Sequence, residues 1–414
     1  KLARVATNSA NIDFKGSDFP ALIHKELAVD EDYDRIKPLD YLSEVEWIIA
    51  VGADFVKTHQ VVAKIVYQEV RSNKPLIVLG EVGENLQRWA TEYVPVVSKD
   101  LEKFVAKLAE QDVKLPGIDA SQAERIIEIT RNGKGAILLG TKILESPEPE
   151  KVLRSLVRAA GPDGTLIPLY PFGNEVGVIK AGLRPEFLPG PSSVTVSETS
   201  ALVEKAWGGG NLDDGLDLSE MRRKAEKGEF DVLYVADGSI PVEGFENVPI
   251  IIYQSPYPSD WMNKASVILP STTFVEENGT FVNLEGRVLK LHAIAKPPGN
   301  AKEDWKIFSE IGGKIVNDQF SFADSNEILD ELSRYTRSIE VGGQRRRNSW
   351  TPATSEESKW YPTYRGATIA ERIEDLARFI EKLPERDTHP SEMPLEELVK
   401  HVERERKRQS KEAI

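Results

Sequence analysis

The stretch Ala265–Trp305, ASVILPSTTFVEENGTFVNLEGRVLKLHAIAKPPGNAKEDW, decides how the rest of the chain is read. It opens on Val267-Ile268-Leu269, a short apolar run expected to form a buried strand. Pro270 stops it, because proline cannot donate to a sheet ladder. Glu277-Asn278-Gly279 supplies turn residues that tolerate positive φ, and Thr280-Phe281-Val282-Asn283 resumes an alternating strand. Leu284-Glu285-Gly286-Arg287 makes a second reversal. Pro297-Pro298-Gly299 then stiffens the chain before a helix predicted from Trp305 to Ile311. Two tight reversals and a rigid exit predict a folded loop laid over a sheet edge.

Around this stretch, composition narrows the function classes. A chain of 414 residues is too long for one ordinary core and predicts two or three domains. No run approaches the length of a membrane span. The formal charge of -14 argues against nucleic acid, whose phosphates need clustered Lys and Arg. Cysteine is absent, so the chain cannot hold an iron–sulfur cluster in the usual way, nor supply a thiolate nucleophile, a disulfide or a Cys ligand to molybdenum. His24, His59, His292, His389 and His401 are scattered without metal-ligand spacing and read as ordinary polar residues. The chain begins at Lys1 with no initiator Met or signal peptide, which predicts part of a longer polypeptide or a processed product.

Taken in order, Leu2–Asn8 reads as a short strand. A buried strand at Trp47–Val51, a helix at Val61–Ser72 and a strand at Leu76–Gly80 make a βαβ unit and imply a parallel sheet. Gly52 and Gly80 end these strands. Neither lies in GxGxxG or GxxxxGK[ST], so both read as tight turns rather than a nucleotide fingerprint. A helix at Lys99–Glu110 places Leu101, Phe104, Val105 and Leu108 on one face, and a linker follows at Gln111–Pro116. Ser121 is the expected N-cap of the next helix, with Glu124 as its capping-box partner. Strands at Gly135–Gly140, Thr165–Tyr170, Asp231–Ala236, Val248–Gln254 and Val267–Leu269, with a helix from Lys151, form a second array. Pro171–Gly215 reads as a long connecting region, and Trp207-Gly208-Gly209-Gly210-Asn211 within it as a close backbone passage. The predicted fold class is therefore α/β: two adjacent βαβ units with mainly parallel sheets, at 1–115 and 116–315, and a helical, aromatic-rich extension at 316–414.

In that extension, Ile328–Tyr335 is a short helix and Ile369–Glu381 is amphipathic, with Ile373, Leu376 and Ile380 on one side. Trp350, Trp360, Tyr361 and Tyr364 sit on a polar, Pro-containing strip, which is a docking signature. Arg345-Arg346-Arg347 reads equally as an anion grip and as a solvated loop. Glu276, Glu277 and Glu285 crowd the opening stretch, but turn-flanking carboxylates are commoner than acid–base pairs. No catalytic, cofactor-binding or metal residue is singled out.

The pattern ILP…F.E.NGTFVN.EGR……PPG.A.EDWKI resembles the signature of the molybdopterin oxidoreductase superfamily, which includes formate dehydrogenases, nitrate reductases and the large iron–sulfur subunit of respiratory complex I. VGADFVKTHQVVAKIV and Ser9-Ala10-Asn11-Ile12-Asp13 are similar to further segments of it, and GAILLGT resembles a strand of the complex I protein. The resemblance implies formate dehydrogenase-like domains. Metal-dependent members usually add a closing β-barrel and a Cys, selenocysteine or Ser ligand. The tail here has no run of strands suited to a barrel, so the resemblance is closest to the complex I protein, of the NADH:quinone oxidoreductase type. The implied function is a non-catalytic structural module with no cofactor in this chain. Iron–sulfur clusters would lie in an adjoining N-terminal domain or in partner subunits, on the cytoplasmic peripheral arm of a membrane-associated complex. The alternatives are a fragment of a molybdenum or tungsten formate dehydrogenase, and an interaction scaffold in a related complex.

Overall fold

The computed structural model describes residues 1–27, 35–80, 85–190, 192–237 and 239–339. Its first sheet is built mainly from short apolar runs buried on both faces, as interior parallel strands require, with a more polar strand, Glu92–Pro95, at one edge. These are β1 (Trp47–Val51), β2 (Leu76–Gly80), β3 (Glu92–Pro95), β4 (Gly135–Leu139) and β5 (Thr165–Pro168), all parallel in the order β3-β2-β1-β4-β5. Around them run α1 (Asp18–Leu27) ahead of β1, α2 (Phe55–Thr58) and α3 (Gln60–Arg71) after it, α4 (Ser98–Ala109) and α5 (Ala120–Arg131) before β4, and α6 (Pro149–Ala159) before β5. Alternation along β1 sends Trp47, Ile49 and Val51 into a core with α1, α4, α5 and α6, and Ile48 and Ala50 into a second core with α3.

Next come α7 (Glu175–Lys180), the short antiparallel pair β6 (Phe187–Leu188) and β7 (Ser192–Ser193), α8 (Ser197–Trp207) and α9 (Leu218–Glu226). A second parallel sheet holds β8 (Val232–Ala236), β9 (Ile250–Ser255) and β10 (Val267–Pro270) in the order β10-β9-β8. The hairpin β11 (Gly279–Val282) and β12 (Val288–Leu291) follows, then α10 (Asp304–Val316) and α11 (Ser325–Ile339). No described helix is long and apolar enough to cross a membrane.

Several expectations are corrected. The division near residue 115 falls inside one sheet, since β4 and β5 join β1 to β3. Leu2–Asn8 is not a strand: Leu2–Ala6 is a π-helical turn. The Arg4 guanidinium anchors it, donating to the carbonyls of Pro185, Asp213 and Asn211 at 2.6, 2.9 and 3.1 Å. The N-cap of α5 is Asp119, which accepts from the Gln122 amide at 2.9 Å, while Ser121 lies inside the first turn and binds Arg125. Pro171–Gly215 is not simply a connection, because it holds α7 and α8. Within it, the glycine run is a close passage, with the Asn211 amide 2.8 Å from the Arg4 carbonyl. The run Val267-Ile268-Leu269 is a strand but not buried, and in Leu233–Val235 only Val235 is buried. β10 is an edge strand and one face of its sheet lies open.

The hairpin reaches back to the first sheet. The Val282 amide donates to Asn174 Oδ1 at 2.8 Å, and the Leu39 amide to Glu285 Oε1 at 2.9 Å. Leu284 packs against both cores of the first sheet. Arg345-Arg346-Arg347, Trp350, Trp360, Tyr361, Tyr364 and the segment Ile369–Glu381 lie outside the described residues.

Candidate functional site

In an open parallel sheet, ligands bind beyond the carboxyl ends of the strands, where the strand order reverses. Here that point lies between β1 and β4. A crevice occurs there, lined among others by Gly52, Asp54, Thr58, His59, Gly140 and Thr141. It encloses about 10 Å³, room for a single water.

The local sequence explains why it is so small. A Cβ on Gly140 would sit 2.2 Å from the Gly52 carbonyl oxygen, so the loops after β1 and β4 meet backbone to backbone. Several of their amides are engaged by the same packing. Gly52 donates to Leu79, Gly140 to Val51, and Lys142 to the Gly52 carbonyl, at 3.2, 2.9 and 3.2 Å. The amides of Lys57 and Thr58 both donate to the Asp54 carbonyl.

Asp54, Thr58, His59 and Thr141 are the polar side chains that line the crevice. Asp54 is 7% exposed; its Oδ2 accepts from Asn85 Nδ2 at 3.0 Å, and its Oδ1 has no hydrogen-bond partner among the described residues. His59 Nε2 lies 2.8 Å from the Tyr170 carbonyl, which can only accept, so Nε2 carries the proton and Nδ1 accepts from Thr58 Oγ1 at 2.8 Å. Burial lowers the His59 pKa, against the pull of the Tyr170 bond. The Thr58 hydroxyl also lies 3.3 Å from the Asp54 carbonyl.

A second polar cluster lies under α1. Arg184 donates to Glu186, Asp18 and Ser17, with Asp13 at 3.4 Å, and Lys25 pairs with Glu186 at 2.7 Å. Burial pushes Asp13 up to about 6, opposed by Arg184 and reinforced by Asp18. Burial acts the same way on Glu186, but Arg184 and Lys25 outweigh it and hold that carboxyl at about 2. This network ties the N-terminal segment to the turn before β6.

The three carboxylates of the hairpin stretch do not converge. Glu276 accepts from the Thr273 amide at 2.9 Å, Glu277 accepts from Thr272 Oγ1, and Glu285 is turned to Leu39 and Arg287. Burial and the nearby Asp304 push Glu277 up to about 7. His24 stacks edge-on with Phe187, away from His59. Among the described residues, no group of three or more His, Asp or Glu is placed to hold a metal ion. Asp54 and Thr58 were not singled out in the sequence. Their only signal is a place just after a strand that ends in Gly, and its meaning depends on the strand order.

The sequence profile of the family described as Molybdopterin oxidoreductase matches residues 25–314. The chain belongs to this family. It is 27% identical over 236 residues to the NADPH-Fe(3+) oxidoreductase subunit alpha of Geobacter sulfurreducens, covering 52% of this chain and 27% of that protein. It is 28% identical over 280 residues to a NADH-quinone oxidoreductase subunit of Rhizobium meliloti, covering 63% and 32%. A formate dehydrogenase-like protein of Staphylococcus aureus is 26% identical over 272 residues, covering 61% and 27%. The chain thus spans about a third or less of each relative. Among solved structures, acetylene hydratase from Pelobacter acetylenicus shares the fold at a TM-score of 0.50 and 11% identity, over 71% of this chain and 50% of that one.

The family name implies a pterin cofactor, which carries phosphate. The switch-point crevice does not fit such a group. It offers about 10 Å³ and a buried carboxyl oxygen with no hydrogen-bond partner among the described residues. A phosphate there would meet the buried Asp54 carboxyl group.

Proposed function

We propose that this chain is a non-catalytic α/β module of a large iron–sulfur subunit of the complex I type, supporting the electron path and subunit assembly. The observation that carries this reading is the closely packed crevice at the switch point of the first sheet, where the loops after β1 and β4 meet backbone to backbone. The absence of cysteine adds to it, because clusters would then sit in adjoining domains or partner subunits. The NADH-quinone oxidoreductase relative of Rhizobium meliloti gives the complex its proposed kind. The partners are other subunits of an electron-transfer assembly on the peripheral, cytoplasmic side of a membrane complex.

The test is to produce the full chain in a host supplied with molybdate and tungstate. Both metals would be assayed, together with the fluorescent oxidation product of pterin released on denaturation. Only background amounts of each are expected, with no formate oxidation by an artificial acceptor. Stoichiometric pterin with molybdenum or tungsten would overturn the proposal in favour of the formate dehydrogenase reading.

A further inference from the structure

From Gly286 to Lys302 the chain holds Arg287, Lys290, Lys296 and Lys302 and no Asp or Glu, within a protein whose formal charge is -14. Arg287 pairs with Glu285 and Lys302 with Glu310, at 3.2 and 2.7 Å. Lys290 and Lys296 are exposed, and neither has an ion-pair partner among the described residues. Apolar side chains are interleaved with them: Val288, Leu289 and Ile294 are exposed by 55%, 49% and 83%. Ile294 is held in place, since its amide and that of Ala295 both donate to the Val275 carbonyl, at 2.9 and 3.0 Å.

The backbone is open as well. Among the described residues β12 has β11 as its one strand neighbour, with Val282 opposite Val288 and Thr280 opposite Lys290. The Asn283 amide donates to the Arg287 carbonyl at 3.1 Å, while the Val282 amide is turned away to Asn174. Hydrogen-bonded and non-bonded pairs alternate along an antiparallel ladder, so the N–H and C=O groups of Val288 and Lys290 point away from β11. A two-stranded hairpin is marginal alone, and an open edge is a template for a further strand.

We propose that the outer edge of β12 receives an acidic strand from a partner protein, added as the third strand of this sheet. Backbone bonds to Val288 and Lys290 would give the affinity, and carboxylates set against Lys290 and Lys296 the selectivity. A second copy of β12 is a poor occupant, because it would lay one basic run without carboxylates against another. A lipid surface would suit the lysines and the aliphatic side chains, but would leave the outward backbone groups without hydrogen-bond partners. The proposal rests on the reading of the chain as one member of an assembly. It is tested by binding rather than by pterin or metal content, so the two fail separately.

The probe is a short blocked peptide alternating valine and glutamate, compared with its valine–lysine counterpart, each titrated into the full chain. The acidic peptide should bind about tenfold more tightly at low salt. Amide exchange at Val288 and Lys290 should be fast in the free chain and slow when that peptide binds. Lys290→Glu combined with Lys296→Glu should reverse the preference between the peptides. Failure of the acidic peptide to bind, equal binding of the two, or binding that leaves exchange at 288 and 290 unchanged would overturn the proposal. So would slow exchange at these amides in the free chain, which would mean that the chain covers the edge itself. Sedimentation with phosphatidylglycerol vesicles, lost in the doubly substituted chain and without peptide binding, would assign the surface to a membrane instead.

Discussion

Glu175 is 3% exposed; one carboxylate oxygen accepts from the Phe172 amide at 3.0 Å and the other has no hydrogen-bond partner among the described residues. Burial, opposed by that single bond, pushes its pKa from 4.5 up to about 8. Between these values the folded state keeps a proton that the unfolded chain has released, so stability falls as pH rises and levels off above about 8. Asp13 acts in the same direction, but only between 3.8 and about 6. Glu186, held at about 2, gives stability above 4.5 that is lost as pH falls towards 2. The window from about 6 to about 8 therefore belongs to Glu175 among these three. Glu175→Gln keeps an acceptor for Phe172 and removes the charge. It should make the fall across that window shallower, leaving the Glu277 contribution up to about 7, and stabilise by on the order of 1–3 kcal/mol at pH 8, measured by urea denaturation at pH 5, 6.5 and 8. An unchanged slope would show that the carboxyl is ionised and solvated in the folded state. Nothing in the sequence marked Glu175 or the Arg184 cluster. Both sit in a stretch whose Gly and Pro residues read as a connection, and the Arg184 cluster draws on partners far away in the chain, as Asp13 is from Arg184.

At the scale of the element, β1, β2, β4 and β5 were legible because each is a short apolar run buried on both faces, whereas β3, Glu92-Tyr93-Val94-Pro95, contains no such run and was missed. The same rule misjudged β10, whose residues are equally apolar but lie at an edge with one face open. The π-helical turn Leu2–Ala6 was illegible for another reason: its conformation is held by carbonyls two hundred residues away, which no local pattern contains. The switch-point crevice was half legible. Gly52 was seen as a tight turn, but the need for Gly at 140 arises only when β4 pairs beside β1. Gly140→Ala would push a methyl against the Gly52 carbonyl and Ala53, both fixed by the strand ladder. It should cost about 2–3 kcal/mol. Gly313→Ala is the contrast, since it lies in α10 with nothing within 4 Å of an added Cβ. That change should stabilise by about 0.5–1 kcal/mol. Urea midpoints of the two variants, at equal m-values, decide both. A neutral Gly140→Ala would mean that the two loops can separate and the crevice can open.

Across the whole molecule, the predicted pair of α/β arrays exists, but the expected boundary does not coincide with the sheets. The linker at 111–116 joins α4 to α5 on one side of a sheet that runs on to residue 168. Composition shifts mark where a chain is exposed, not where a sheet ends. The hairpin after β10 connects the second array to the first, and Asn174 is its clasp. Its Oδ1 receives the Val282 amide, and a Cβ on the neighbouring Gly177 would meet that same oxygen at 2.3 Å. Asn174→Ala removes the acceptor and leaves a half-buried amide without its partner, a loss of about 1–2 kcal/mol. Because the bond fastens only the hairpin, the effect should be local. Amide exchange of β11 and β12 should accelerate, while β1 and β4, buried on both faces, keep their protection. If β1 and β4 exchanged faster by the same factor, the hairpin would unfold together with the first sheet. The two arrays would then be one cooperative unit rather than two bodies fastened by a strap.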